Sequence, residues 1–275
     1  MTNKVRFSIL LGIVAFGVGV VLSSCGVSVD NSNTGNTTSQ NTSNTTDNPT
    51  SSNPTSSNST SINSLRVPVY TGMTIKRNGK KNSQKYTDTI KNAEYMILDS
   101  DRPDIVEYIL KNFSGDTKFI LDPVSAAKAE GVKHLIKYFH TIKPNRYEAE
   151  IMCGFKIKTD EDIRKAGKYF IDLGIKNVFI TLDEDGIYYN NGVEEGKLKA
   201  NDSKVVNVTG AGDSFVAGIA YGYMENISLV DTVKFAISMS TITISTEETI
   251  HPDMCYDLVD KYVNDINWTH IKYNK

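Results

Sequence analysis

The sequence predicts an α/β domain of three layers, with a parallel sheet covered by helices on both faces. Three observations predict it. From Glu94 onward short apolar runs alternate with stretches of helical periodicity, as in Tyr95-Met96-Ile97-Leu98 followed by Ile105, Tyr108 and Ile109. The runs are continuous rather than alternating, which fits strands buried on both faces. Asp99, Asp122, Asn145, Asp183 and a turn at Gly210 fall just after those runs, at the strand ends where such sheets bind ligands.

The first 64 residues are different in kind. Lys4 and Arg6 precede an apolar run from Ile9 to Leu22, so residues 1–24 read as a secretory signal, shorter than the roughly 20 residues a spanning helix needs. Leu22-Ser23-Ser24-Cys25 resembles a bacterial lipoprotein processing site, which implies cleavage before Cys25 and lipidation of its thiol. Residues 25–64 are almost entirely Asn, Ser, Thr and Gly and cannot bury enough apolar surface to offset ordering. As a coil this linker holds its ends on the order of 35 Å apart. Residues 65–92 form a basic, irregular lead-in.

The elements then follow in order. A helix opens at Asp101 or Pro103, Lys118 to Leu121 is the next strand, and a helix is expected over about Val132 to Phe139. Thr141-Ile142-Lys143 is a strand ending at Pro144-Asn145, and Arg146 to Cys153 is helical. Asp160 begins a helix with Ile163, Ala166, Phe170 and Leu173 on one face, stopped by Gly174. Asn177 to Leu182 and Ile187 to Tyr189 are strands joined through Asp185-Gly186. Lys204 to Val206 is expected as a short strand, with helices over about Gly212–Met224, Leu229–Ile244 and Pro252–Val263, and a tail over 266–275. Gly218 and Gly222, with Ala217, are expected to let their helix pack closely on the sheet.

Charge is nearly balanced, 30 basic against 32 acidic residues, so no field recruits nucleic acid. The four histidines lack ligand spacing, and Cys153 and Cys255 lie in apolar-periodic stretches, as buried thiols do, with a disulfide bridge the alternative in a secreted chain.

Chemistry concentrates at Asn207-Val208-Thr209-Gly210-Ala211-Gly212-Asp213. Gly210 and Gly212 allow successive N–H groups to face one concave space, and the following helix adds its unpaired N–H groups and positive dipole end. Asp213 is either a plain first-turn acid or, because an acid would repel a phosphate bound there, a base that takes a proton from an attacking hydroxyl. The second reading means phosphoryl transfer to an alcohol. Neither the dinucleotide fingerprint nor the Gly-x-x-x-x-Gly-Lys-Ser/Thr loop is complete.

With Asn145-Arg146-Tyr147-Glu148 and Thr181-Leu182-Asp183-Glu184-Asp185-Gly186 added, the chain from about Ala93 to Val263 resembles the ribokinase-like (PfkB) carbohydrate kinases. Within them it is phrased like the pseudouridine kinases, at Asp122-Pro123-Val124-Ser125, Lys143-Pro144-Asn145, Asn207-Val208-Thr209 and Thr249-Ile250-His251-Pro252. The resemblance implies a ribokinase-like kinase domain over 93–265, ATP as donor, and a sugar or nucleoside hydroxyl as acceptor, pseudouridine first. It implies Asp213 as the base and the N–H groups of Gly210, Ala211 and Gly212 as stabilisers of the transferring group. Asn145 and Glu148 match a motif that organises magnesium and phosphate through water, although the same spacing is a capping box. Thr181, Asp183, Glu184 and Gly186 match the nucleotide-contacting Thr-Leu-Gly-x-x-Gly, with Asp183 in place of a glycine. Thr209 and Asn207 fall where the family often holds potassium, Asn207 replacing a common Asp, and Ser240 to Glu247 would border the adenine.

The family's first hundred or so residues, its early strands, sugar grip and lid, are expected to have no counterpart, and with the lid its dimerisation. The expected protein is a membrane-anchored, extracytoplasmic lipoprotein, or a cytoplasmic one if the signal does not function. A catalytically inactive anchored binding domain, or a gene-fusion remnant of the same fold, stands as the alternative to a kinase.

Overall fold

Residues 7–10, 87–201 and 203–273 are described by a computed structural model. Their strands are β1 (Phe7–Leu10), β2 (Tyr95–Asp99), β3 (Lys118–Asp122), β4 (Thr141–Ile142), β5 (Asn177–Thr181), β6 (Ile187–Asn190), β7 (Glu195–Ala200) and β8 (Trp268–Lys272). The helices are α1 (Thr87–Asn92), α2 (Pro103–Phe113), α3 (Ala126–Val132), α4 (Arg146–Cys153), α5 (Asp160–Asp172), α6 (Ala211–Glu225), α7 (Leu229–Ile244) and α8 (Tyr256–Asp265). The strands lie side by side in sequence order. β1 to β5 are parallel, and β5 to β8 form an antiparallel meander, so the sheet is mixed.

The layering follows from the period of two along each strand. Met96, Leu98, Phe119, Leu121, Ile142, Val178 and Ile180 face α1 to α5. Their neighbours Tyr95, Ile97, Ile120 and Phe179 face the opposite way, onto Val216 and Ala220 or Phe215 and Ile219 of α6. α7 joins α6 on that face, and α8 packs outside α7 through Met239, Ile242 and Val259. Both faces are covered, so each central strand can be apolar throughout. Phe170 of α5 is fully buried, and truncating such a ring typically costs about 3–5 kcal/mol.

Several expectations are corrected. Lys204 to Val206 forms no strand: the place beside β7 is taken by β8, within the segment expected to be a tail. Val206 and Asn207 instead donate their N–H groups to the Ile244 carbonyl at 2.7 and 3.2 Å, and Val205 stays exposed. The helix expected over Val132–Phe139 is α3 followed by a 3-10 turn over Lys133–Tyr138, because Ser125 caps a start at Ala126 by accepting from the Lys128 N–H. The helix expected from Pro252 begins at Tyr256.

Gly218 and Gly222 serve a helix contact rather than the sheet. A Cβ on Gly218 would meet the Ala236 Cα at 2.4 Å, and one on Gly222 would meet the Thr232 Oγ1 at 2.3 Å, both on α7. Cys153 is a half-buried free thiol, and Cys255 is buried. β1 lies inside the expected signal segment and pairs in parallel with β2, closing an edge whose N–H and C=O groups would otherwise be open. The other readings on residues 1–24, Cys25, the linker over 25–64 and the first part of the lead-in lie outside the described residues.

Candidate active site

The parallel strands deliver their charged ends to one edge. Asp99 closes β2 and is in register with Asp122, which closes β3. Lys143 follows β4 and donates its N–H to the Leu121 carbonyl at 2.9 Å, which brings its side chain alongside Asp122. The Lys143 Nζ lies 3.3 Å from the Asp122 Oδ1, and both residues are buried. One strand further, Asn145 bridges to Thr181 at the end of β5.

α4 starts on a reciprocal cap. The Asn145 Oδ1 accepts from the Glu148 N–H at 2.9 Å, and the Glu148 Oε2 accepts from the Asn145 N–H at 2.8 Å. Glu148 is only 2% exposed, unusual for a capping carboxylate, which normally faces solvent. Burial raises its pKa, against the opposing pull of the Asn145 N–H and the Lys143 ammonium.

α6 starts on the glycine turn. Gly210 is its N-cap with φ 84°, and a Cβ there would lie 2.3 Å from the Thr249 carbonyl oxygen, so any other residue meets both strain and collision. Asn207 holds the approach: its Oδ1 accepts from the Thr209 N–H at 3.0 Å, and its Nδ2 donates to the Glu247 carbonyl at 2.9 Å. The Ser240 hydroxyl donates to the Ala211 carbonyl at 2.7 Å, tying the turn to α7. Asp213 stands in the first turn, its pKa raised by burial and by the charge of Asp122 and lowered by Lys143. A Cβ on Gly212 would lie 3.1 Å from the Lys143 Nζ, so the ammonium sits directly against the helix start.

Asp213, Asp122, Lys143 and Glu148 therefore form one electrostatic group at the start of α6. The sequence reading singled out Asp213 and Glu148 but gave Lys143 no role. A lysine closing an apolar run, just before Pro-Asn, was the available signal.

The Thr181–Gly186 segment turns through a 3-10 turn over Asp183–Asp185. Asp183 has φ 52° and Gly186 φ 88°, and the Leu182 N–H donates to the Gly186 carbonyl at 2.8 Å. Arg146 ties this turn to α4 through an ion pair with Asp185 at 2.9 Å. Among the described residues no group of three or more His, Cys, Asp or Glu side chains is arranged to hold a metal directly. A cavity of about 530 Å³ between α5 and the β6–β7 turn, lined in part by Arg164, Lys168 and Glu195, is at the opposite end of the strands from this group.

The profile of the pfkB family carbohydrate kinases matches residues 60–254. The chain belongs to that family. This PfkB chain is 32% identical over 172 residues to the pseudouridine kinase of Escherichia coli, covering 62% of the chain and 55% of that relative. It is 33% identical over 159 residues to the 1-phosphofructokinase of Haemophilus influenzae, covering 56% and 48%. Its fold is similar to the crystal structure of a provisionally assigned sugar kinase of Clostridium perfringens, at 59% identity and a TM-score of 0.69, covering 70% of this chain and 61% of the other. The chain spans about half the length of the curated relatives it matches. Asp183, expected to stand in place of a glycine, takes a left-handed conformation, φ 52°, of the kind that favours glycine.

Proposed function

We propose that this PfkB chain transfers the γ-phosphoryl group of ATP to a hydroxyl of a small sugar or nucleoside, with pseudouridine, giving pseudouridine 5′-phosphate, the first acceptor to test. The observation that carries the reading is Asp213, solvent-accessible in the first turn of a helix whose N–H groups are presented by Gly210, with Asp122 and Lys143 acting on its charge. The acceptor hydroxyl oxygen would bond to the γ-phosphorus as the bond from that phosphorus to the β-bridging oxygen breaks. The hydroxyl proton passes to the Asp213 carboxylate, and the N–H groups at Ala211 and Gly212 would stabilise charge on the transferring oxygens.

The donor set suits magnesium held at one remove: Glu148 and Asp122 are hard oxygen donors, and magnesium keeps several waters while using one or two carboxylates beside substrate phosphates. Magnesium, when bound, would neutralise the phosphate oxygens, with Asn145 and Glu148 orienting its waters. The Thr181–Gly186 turn, with Asp183 and Glu184, would lie along the nucleotide, and Asn207 and Thr209 would border a potassium ion. The relatives support this assignment, since a pseudouridine kinase and a 1-phosphofructokinase are both phosphoryl-transfer enzymes by name.

The test is turnover of ATP by the full chain with magnesium and potassium, offering pseudouridine, ribose and fructose 1-phosphate separately. A phosphorylated product with one acceptor supports the proposal. Nucleotide bound without product from any acceptor would overturn the proposal in favour of a non-catalytic binding domain.

A further inference from the structure

Among the described residues the sheet ends at β8, and one side of that strand has no neighbour. In an antiparallel pair, residues bond the neighbouring strand alternately, every second one turning its N–H and C=O away. The Asn201 N–H donates to the Asn267 carbonyl and the Tyr273 N–H to the Glu195 carbonyl, which fixes the alternation between them. Thr269 and Ile271 therefore point their backbone groups at β7, while Trp268, His270 and Lys272 point theirs outward. Such an edge accepts another strand unless a proline, a bulge or charge blunts it. Trp268-Thr269-His270-Ile271-Lys272 contains no proline, carries Lys272 as its only fixed charge, and pairs with β7 residue for residue without a bulge. A groove of about 110 Å³ lies on one face of this edge, lined in part by Lys197, Lys199, Thr269 and Ile271. Ile271 stands 41% exposed at its rim.

We propose that β8 is a docking edge for a second copy of this chain, the two β8 strands pairing antiparallel about a two-fold axis at His270. The strand is its own complement in that register. His270 faces the second copy's His270 and Trp268 faces the second copy's Lys272, each facing pair exchanging both N–H···O bonds. No two lysines meet, and each Lys272 ammonium comes beside an indole, a favourable cation–π arrangement. Thr269 faces the second copy's Ile271 on the face that holds the groove, so each copy brings an aliphatic side chain to the other's groove. This self-complementarity selects a second copy over a foreign strand. The two-fold axis uses the β8 edge of both copies, so assembly through it stops at a dimer. The interface is independent of the kinase reading.

Two measurements on the full chain test it, with each variant checked for fold by circular dichroism. The first is the register. Facing residues of a bonded antiparallel pair have Cα atoms about 5.5 Å apart, within disulfide reach, so His270→Cys should oxidise to a cross-linked dimer. The two copies of residue 272 would lie about 13 Å apart, so Lys272→Cys should show only the background that the native cysteines give both variants. The second is the affinity. In sedimentation equilibrium wild type should pass from monomer to dimer as concentration rises. Ile271→Lys, which sets a like charge beside Lys197 and Lys199, should weaken that dimer about tenfold or more. A wild type still monomeric at about 0.5 mM overturns the proposal, as does a dimer that Ile271→Lys leaves unchanged or assembly beyond the dimer. Equal cross-linking by the two cysteine variants overturns the register and the proposal with it. Should His270→Cys fail to fold for want of the 2.8 Å bond to the Tyr189 hydroxyl, sedimentation of wild type and Ile271→Lys decides alone.

Discussion

Asp99→Asn should stabilise the protein at neutral pH and leave it almost unchanged in acid. Asp99 is 8% exposed, and burial pushes its carboxyl from 3.8 to about 7, helped by the charges of Asp101 and Asp122 and opposed by the Asp101 N–H and Lys128. Between those two values the folded protein keeps a proton that the unfolded chain has released. Stability contributed by this group is therefore full below about pH 4 and is lost as pH rises toward 7. A gap of roughly three units at about 1.4 kcal/mol each sets the loss at about 4 kcal/mol. Asparagine imitates the protonated form and keeps an oxygen to accept from the Asp101 N–H, a bond of 3.1 Å in the wild type. Urea unfolding of both proteins from pH 5 to pH 8 should show the variant gaining on wild type by a margin that grows with pH. A difference flat across that range would refute the reasoning.

Three further outcomes follow from the same geometry. Asp183→Gly should raise stability in urea by about 0.5–1 kcal/mol, because φ 52° strains a residue with a Cβ more than it strains glycine. Gly218→Val should lower stability by about 1–3 kcal/mol or more, since even a single Cβ would lie 2.4 Å from the Ala236 backbone and force α6 from α7; thermal unfolding reads the loss. Because burial and Asp122 raise the pKa of Asp213, a base there is protonated at a higher pH than an ordinary carboxylate. The acid limb of kcat/KM should therefore lie at higher pH than an ordinary aspartate would set and move down in Asp122→Asn.

The parts legible in the sequence were those where one local signal agreed with the packing. α4 begins with Asn145 and a Glu three residues on, and α7 carries a long apolar face, so both were placed at their observed bounds. β7 and β8 were not legible. Glu195 to Ala200 mixes lysines and a glutamate with small residues, and Trp268 to Lys272 is mostly exposed, so their strand character comes from pairing, β7 with β6 and β8 with β7, rather than from an apolar run. Lys204 to Val206 shows the converse: an apolar run became an exposed connection because the sheet position was taken.

At the site, the glycine turn and Asp213 were readable from the strain and charge they require. The spacing of Gly218 and Gly222 marked a close contact, but only the tertiary structure says that α7 is the neighbour. Lys143 was hidden for a similar reason, since its partners Asp122 and Gly212 come from separate elements and meet only once the parallel strands are in register.

The most direct test of the central claim compares wild type and Asp213→Asn for phosphorylation of an acceptor by ATP, with nucleotide affinity measured in parallel. The account predicts that the variant binds ATP about as well as wild type and forms product about 10² to 10⁴ times more slowly. Equal rates in the two proteins would contradict it.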